Sequence, residues 1–424
     1  MFKNWIRKID LARTLYLILF FEFINVGYYC YYLSNHGYLP APFALDKNDT
    51  LMDFYNPLFW VIKNGFYTTF NSVYPAINYF FLKIFSLGIS PDQISNPFQL
   101  RSDFPILGVI VSFIYALFIL VVANIGEWRK VNFSHKGLIF LACMLSVPVL
   151  FGLERGNLIF LALLFLSLYL SASNPWVRAI FLGLLINVKP YFAILLVQYL
   201  NIHQFNKMEL IRSLLMTAII FFGLGFFSDM NFFNFFKAYI SFSKNTTLSV
   251  EGVIALPHSI TALSAIKALI NFGDGSRYTF WFSLLKVVNY ISVLFLFYLA
   301  LVKRLTLLEL LIAGVLMLTN FSISTGGYIL IIYIALIPYL LQSQEYKKLL
   351  FFIFAIYALP IDWVTFIQIK YIYIYSYLGG NLFIYEPTFF LSIGSILRPL
   401  FNFSMLIIFI RYLSRKYSGI ISAG

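Results

Sequence analysis

Charge is scarce in this chain. Asp, Glu, Lys and Arg make up 11% of its 424 residues, against about 25% in an ordinary soluble domain. A disordered protein needs more charge, and a soluble globule with 61% hydrophobic residues could not cover its apolar surface. The mean hydropathy of +0.84 belongs to the whole chain rather than to one greasy segment. Cysteine is limited to Cys30 and Cys143, both inside apolar stretches, so the sequence offers packing residues there rather than a disulfide or a metal site. Phosphate-binding glycine loops, HExxH, CxxC and G-x-S-x-G are all missing, which argues against nucleotide hydrolysis within this chain. Segments of about ten residues with alternating polarity, the mark of an outer-membrane barrel, are missing too. No internal repeat is evident, which weakens a transporter built from duplicated halves.

What is present is long, continuous apolar sequence. A hydrocarbon core of about 30 Å takes roughly 20 helical residues to cross, so the class is all-α and polytopic in the membrane. The net charge of +13 would suggest nucleic acid in a soluble protein. Here it reports topology, because cytoplasmic loops retain Lys and Arg, and no nucleic-acid partner is expected. Lys3, Arg7, Lys8 and Arg13 precede a first span at 14–33, read as retained rather than cleaved. Basic loops recur at Arg129, Lys130 and Lys136, at Arg178, at Lys207 and Arg212, at Lys303 and Arg304, at Lys347 and Lys348, and at Arg411, Arg415 and Lys416.

These marks predict spans at 105–125, 137–153, 157–173, 209–227, 281–301, 305–322, 327–342, 348–366 and 393–412. A further pair of short helices is expected to meet near Lys189, between two cytoplasmic ends. The simplest count is about twelve helices in one transmembrane domain over 1–424, with both termini inside. Three outer loops remain, at 34–104, 229–280 and 363–392. The first of them carries interfacial helices; treating 74–90 as a span instead would put Arg129, Lys130 and Lys136 outside.

Four outer regions hold candidate chemistry. Asp46, Asp49 and Asp53 concentrate three of the 17 acidic residues into eight positions. A carboxylate at the membrane boundary beside Phe54-Tyr55-Asn56-Pro57 suits a general base, which favours Asp53; the competing readings are a solvated loop, or Asp46 and Asp49 on a divalent cation. Nothing else in the sequence supports a metal, and none is expected. In Gly152-Leu153-Glu154-Arg155-Gly156-Asn157, Arg155 either pairs with Glu154 at the surface or contacts an anionic group. Lys189, in Asn187-Val188-Lys189-Pro190-Tyr191, lies in apolar sequence, where insertion costs about 2.5–3.5 kcal/mol. It either snorkels to an interface or faces a cavity that suits a lipid phosphate. His258 either hydrogen-bonds a sugar or phosphate or caps a helix with Ser259, and Ser322-Ile323-Ser324-Thr325-Gly326-Gly327 breaks an apolar run.

Taken in order, these landmarks resemble the C-class (GT-C) integral-membrane glycosyltransferases, and among them glycosyltransferase family 87, bacterial polyprenyl-phosphate-sugar enzymes of mannosyltransferase type. The similarity rests on Asp53-Phe54-Tyr55, Gly65, Val73-Tyr74-Pro75-Ala76, Arg155-Gly156-Asn157 and Lys189-Pro190, with a faint match at Ser322-Ile323-Ser324. Ala76 stands where such proteins show a second proline, and Asn157 where they show Gln. The resemblance implies a GT-C-like hexosyltransferase without cofactor, acting in the bacterial inner membrane with its site toward the periplasm. Asp53 would be the general base, and Lys189, Arg155, His258, Asp49, Tyr55 and Tyr74 the substrate-binding residues. The donor would be a polyprenyl-phosphate sugar and the acceptor a glycan or glycolipid. A lipid-linked glycan flippase would use the same basic cavity without the carboxylate, and a polymerase or ligase would lean on Arg277 or Arg398.

Overall fold

The structure, a computed structural model, describes residues 11–36, 50–203, 206–228, 230–248, 275–321, 327–359, 364–375 and 381–418. Helix α1 (Leu11–His36) is followed by three short helices, α2 (Met52–Ile62), α3 (Ala76–Phe85) and α4 (Pro97–Asp103). Ten residues of helix reach about 15 Å, so α3 is too short to cross a bilayer. Next come α5 (Pro105–Val122), α6 (Phe133–Leu145), α7 (Val147–Arg155), α8 (Ile159–Ser171), α9 (Pro175–Val188) and α10 (Val197–Leu200). The rest is α11 (Lys207–Phe227), α12 (Phe232–Leu248), α13 (Gly275–Val302), α14 (Leu307–Phe321), α15 (Ile337–Leu341), α16 (Lys347–Ala358), strands β1 (Val364–Tyr375) and β2 (Asn381–Ser392), and α17 (Ile393–Ser418).

Among the described residues, three helices are long and apolar enough to cross a membrane: Leu11–Asn35, Pro105–Val122 and Lys207–Phe227. Their outer faces are apolar as well. Tyr16, Leu17, Phe20, Phe23 and Ile24 on α1 are exposed, as are Val109 and Phe113 on α5 and Leu214 and Phe222 on α11. Contiguous apolar surface on this scale needs hydrocarbon rather than water around it. The chain is a helical membrane protein.

Two of the other expected spans are broken rather than straight, and a break stands near Lys189 where the sequence places one. The stretch 137–153 bends by 52° between α6 and α7, where Ser146 is extended and Pro148 follows. Between 178 and 207, α9 stops at Val188 and a 3-10 segment Pro190–Leu196 leads into α10. The expected span 327–342 is a 3-10 segment, Gly327–Ala335, followed by α15, whose second residue is Pro338. The 3-10 form seldom runs beyond four residues; here Ile329–Ala335 is buried throughout, and Tyr357 donates to the Leu330 carbonyl at 2.9 Å. Irregular backbone at membrane depth is tolerated where protein covers it.

Two of the expected outer loops carry regular structure. Helix α12 and the start of α13 occupy much of 229–280, while 363–392 is largely an antiparallel hairpin, pairing Tyr371 with Tyr385. Its β-branched and aromatic run Thr365-Phe366-Ile367-Gln368-Ile369-Lys370-Tyr371-Ile372-Tyr373 favours extended backbone. The all-α class therefore holds for the membrane body and gains this one β element.

The basic segments gather at one end. Gln342 donates to Glu127 at 2.6 Å, Tyr339 to the Leu170 carbonyl at 3.1 Å, and Asn201 to the Lys303 carbonyl at 2.7 Å. Arg178 pairs with Glu209 at 3.7 Å. Glu309 closes a capping box with Thr306 and accepts from Lys416, Tyr412 and Tyr417, tying α14 to α17.

Candidate functional site

The opposite end is organised around the start of α2. Leu51, its N-cap, has φ 60°, a left-handed conformation that is costly for leucine. It is held there by the Glu154 carbonyl, which accepts from the Leu51 N–H at 2.7 Å. That turn places Asp53 in the first turn of α2, where the helix dipole favours a negative charge. Arg155 Nη2 lies 2.9 Å from Asp53 Oδ1, and Asn157 Nδ2 donates to Oδ2 at 2.7 Å. Asn157 is fixed in turn, because its Oδ1 accepts from the Ile159 N–H at 2.9 Å. Both carboxylate oxygens are thus oriented, and each keeps lone-pair capacity for a further donor. Asp53 and Arg155 each retain 19% side-chain exposure, so the pair is screened but not sealed.

Gly156 makes this approach possible. Its φ is +63°, and a Cβ there would sit 2.9 Å from Phe54 Cβ. Tyr115 donates to the Gly156 carbonyl at 3.3 Å from beneath. Gly156→Ala is therefore expected to destabilise the protein by about 1–3 kcal/mol, read as a lower thermal midpoint in detergent. An unchanged midpoint would show that the turn has room to spare.

Lys189 lies within the electrostatic reach of Asp53. It ends α9 in an extended conformation, and Pro190, which has no N–H to donate, starts the 3-10 segment. Its ammonium stands 5.1 Å from the centroid of the Tyr74 ring, an arrangement that stabilises a cation short of water. Asn78 explains the meeting. Its Nδ2 donates to the Pro75 carbonyl at 3.2 Å and to the Val188 carbonyl at 3.1 Å, tying the Tyr74 turn to the end of α9. Burial pushes the Tyr74 phenol up from its ordinary value, with the Asp53 charge adding to the effect, so it stays a neutral hydrogen-bonding group.

The Asp53 charge reaches Lys189, Tyr74 and Tyr328, and Tyr328 also feels Arg155, Tyr191 and Tyr74. A carboxylate, a guanidinium, an ammonium and several phenols therefore share one electrostatic neighbourhood. Such a group can take a proton at one edge and hold an anion at the other.

Arg155 pairs with Asp53, a partner the sequence does not single out, and orients that carboxylate. Tyr55 is fully buried, and its hydroxyl is occupied, donating to the Phe104 carbonyl at 2.8 Å and accepting from the Gly108 N–H at 2.9 Å. It anchors α2 to α5. Asp49, His258 and Ser322–Gly326 lie outside the described residues.

Sequence reasoning missed Asn157's contact with Asp53, together with Asn78, Tyr191 and Tyr328. A lone Asn in the apolar helix Ala76–Phe85 was the one available signal for Asn78. Among the described residues, no group of three His, Cys, Asp or Glu side chains could hold a metal ion. No protein-family model matches this chain, and neither does any curated protein or solved structure.

Proposed function

We propose that this protein is a membrane glycosyltransferase that moves a sugar from a polyprenyl-phosphate carrier to a glycan or glycolipid acceptor. One observation carries the reading. Asp53 and Lys189, far apart in sequence, act on one another electrostatically, and both act on Tyr74. In the reaction, the acceptor hydroxyl gives its proton to an Asp53 oxygen as its own oxygen attacks the anomeric carbon. The bond from that carbon to the phosphate oxygen breaks, and polyprenyl phosphate leaves with the electron pair. A single displacement inverts the anomeric centre. Lys189 offsets the charge on the departing phosphate, and Arg155 with Asn157 keeps the carboxylate aimed.

The topology follows the same reading. Taking each broken stretch as one crossing, α6 with α7, the 3-10 segment with α10, and the second 3-10 segment with α15, gives twelve crossings. The basic end is then cytoplasmic and the Asp53 end faces outward, which in a bacterial inner membrane is the periplasm.

The test uses the purified protein in lipid vesicles with a radiolabelled polyprenyl-phosphate hexose and a glycolipid acceptor. Label passing to the acceptor, with release of polyprenyl phosphate, supports the proposal. Movement of the intact donor between leaflets without cleavage contradicts it and favours a flippase.

A further inference from the structure

Glu22 is a second ionisable group at membrane depth, and the proposed transfer reaction does not use it. It is the only acidic residue of α1 and lies roughly 16 Å along that helix from Leu11. The inward face of α1 carries Leu15, Ile18, Leu19, Glu22, Asn25 and Tyr29, while its lipid-side residues are exposed phenylalanines, leucine, isoleucine and tyrosines. Glu22 therefore points into protein. It is 0% exposed, and among the described residues neither carboxyl oxygen has a hydrogen-bond partner. One helical turn on, Asn25 is 4% exposed, and its Nδ2 has no partner either.

The elements packed most extensively on this face are α6 and α16, with α7 and Tyr328 meeting its far end at Tyr29. The titratable groups they bring within electrostatic reach of Glu22 are Cys143 from α6 and Tyr357 from α16. Neither is a cation, and Tyr357 already donates to the Leu330 carbonyl at 2.9 Å. An isolated carboxylate without a counter-charge costs several kcal/mol to bury. A hard cation would need about six oxygen ligands; the two free oxygens of Glu22 fall well short. The ligand this arrangement accommodates is a proton.

We propose that Glu22 and Asn25 form a membrane-embedded proton-binding site in which Glu22 is carried as the neutral acid. The proton lets α1 seat its inner face. That face continues from Glu22 through Asn25 to Tyr29, which packs with Val147 and Phe151, and Tyr328 packs against the same cluster. Tyr328 also borders the Asp53 site. Loss of the proton would place a charge on the surface that supports one wall of that site.

Infrared spectroscopy of the full-length protein in bilayers tests this independently of any transferase activity. Near neutral pH, the wild type should show a protonated carboxylic carbonyl band that shifts in heavy water. Glu22→Gln should lose that band while keeping its thermal midpoint, since the amide is a neutral isostere. Should Glu22→Gln fail to fold, Glu22→Asp should move the band instead of removing it. A wild-type spectrum without the band overturns the proposal, as does a band that both variants leave unchanged. A collapse of stability confined to Glu22→Gln, with no carbonyl band in the wild type, would identify an ionised carboxylate held by a cation.

Discussion

Asp53→Asn is expected to lower sugar transfer by roughly 10²- to 10⁴-fold, the range a positioned general base supplies. The amide keeps the size of the side chain, and its carbonyl oxygen can still accept from Arg155, which lies 2.9 Å from Oδ1 in the native pair. What it cannot do is take the acceptor's proton. Donor binding should survive, because the residue proposed to meet the phosphate is Lys189. The checks are initial transfer rates over a range of donor concentrations, with the thermal midpoint confirming the fold. A large fall in kcat with little change in donor KM is the expected pattern. Full retained transfer would remove Asp53 from the mechanism.

Lys189→Met should act on the other side of the reaction. Truncating one partner of a buried charge pair costs about 2–5 kcal/mol, which corresponds to donor binding weaker by roughly 30- to several-thousand-fold. Stability should move the other way or not at all. The methionine no longer carries a charge into an apolar stretch, and the Tyr74 ring, now 5.1 Å from the ammonium, can pack on the thioether. Equilibrium binding of a polyprenyl phosphate, set beside thermal unfolding, separates these effects. A variant that loses stability and keeps full donor affinity would make Lys189 a structural residue.

Asp53 and Lys189 were each legible from sequence because each is a charge placed in apolar surroundings. Their convergence is expected only through the family resemblance, and the means was not legible: Asn78 joins the Tyr74 turn to the Val188 carbonyl. That is a tertiary contact with no local pattern. The pairing of Arg155 with Asp53 was not legible for a related reason: the left-handed turns at Leu51 and Gly156 bring the carboxylate to the guanidinium. Tyr55 looked like a ligand-binding aromatic in a motif, and only the fold reveals that the Gly108 N–H and the Phe104 carbonyl occupy its hydroxyl.

Hydropathy located the apolar stretches but not their breaks. Pro148, Pro190 and Pro338 each stand near a helix start, where a missing N–H costs nothing. Window-averaged hydropathy is blind to that. It is equally blind to the paired strands Val364–Tyr375 and Asn381–Ser392, which fall almost wholly within what reads as an outer loop.

The most direct test is a structure of the protein in a lipid nanodisc with a polyprenyl phosphate bound. The phosphate should lie within hydrogen-bond reach of the Lys189 ammonium over Tyr74, with the Asp53 carboxylate bordering the same space. A phosphate seated among the basic loops at the other end, with packed side chains filling the gap between Asp53 and Lys189, would contradict the account.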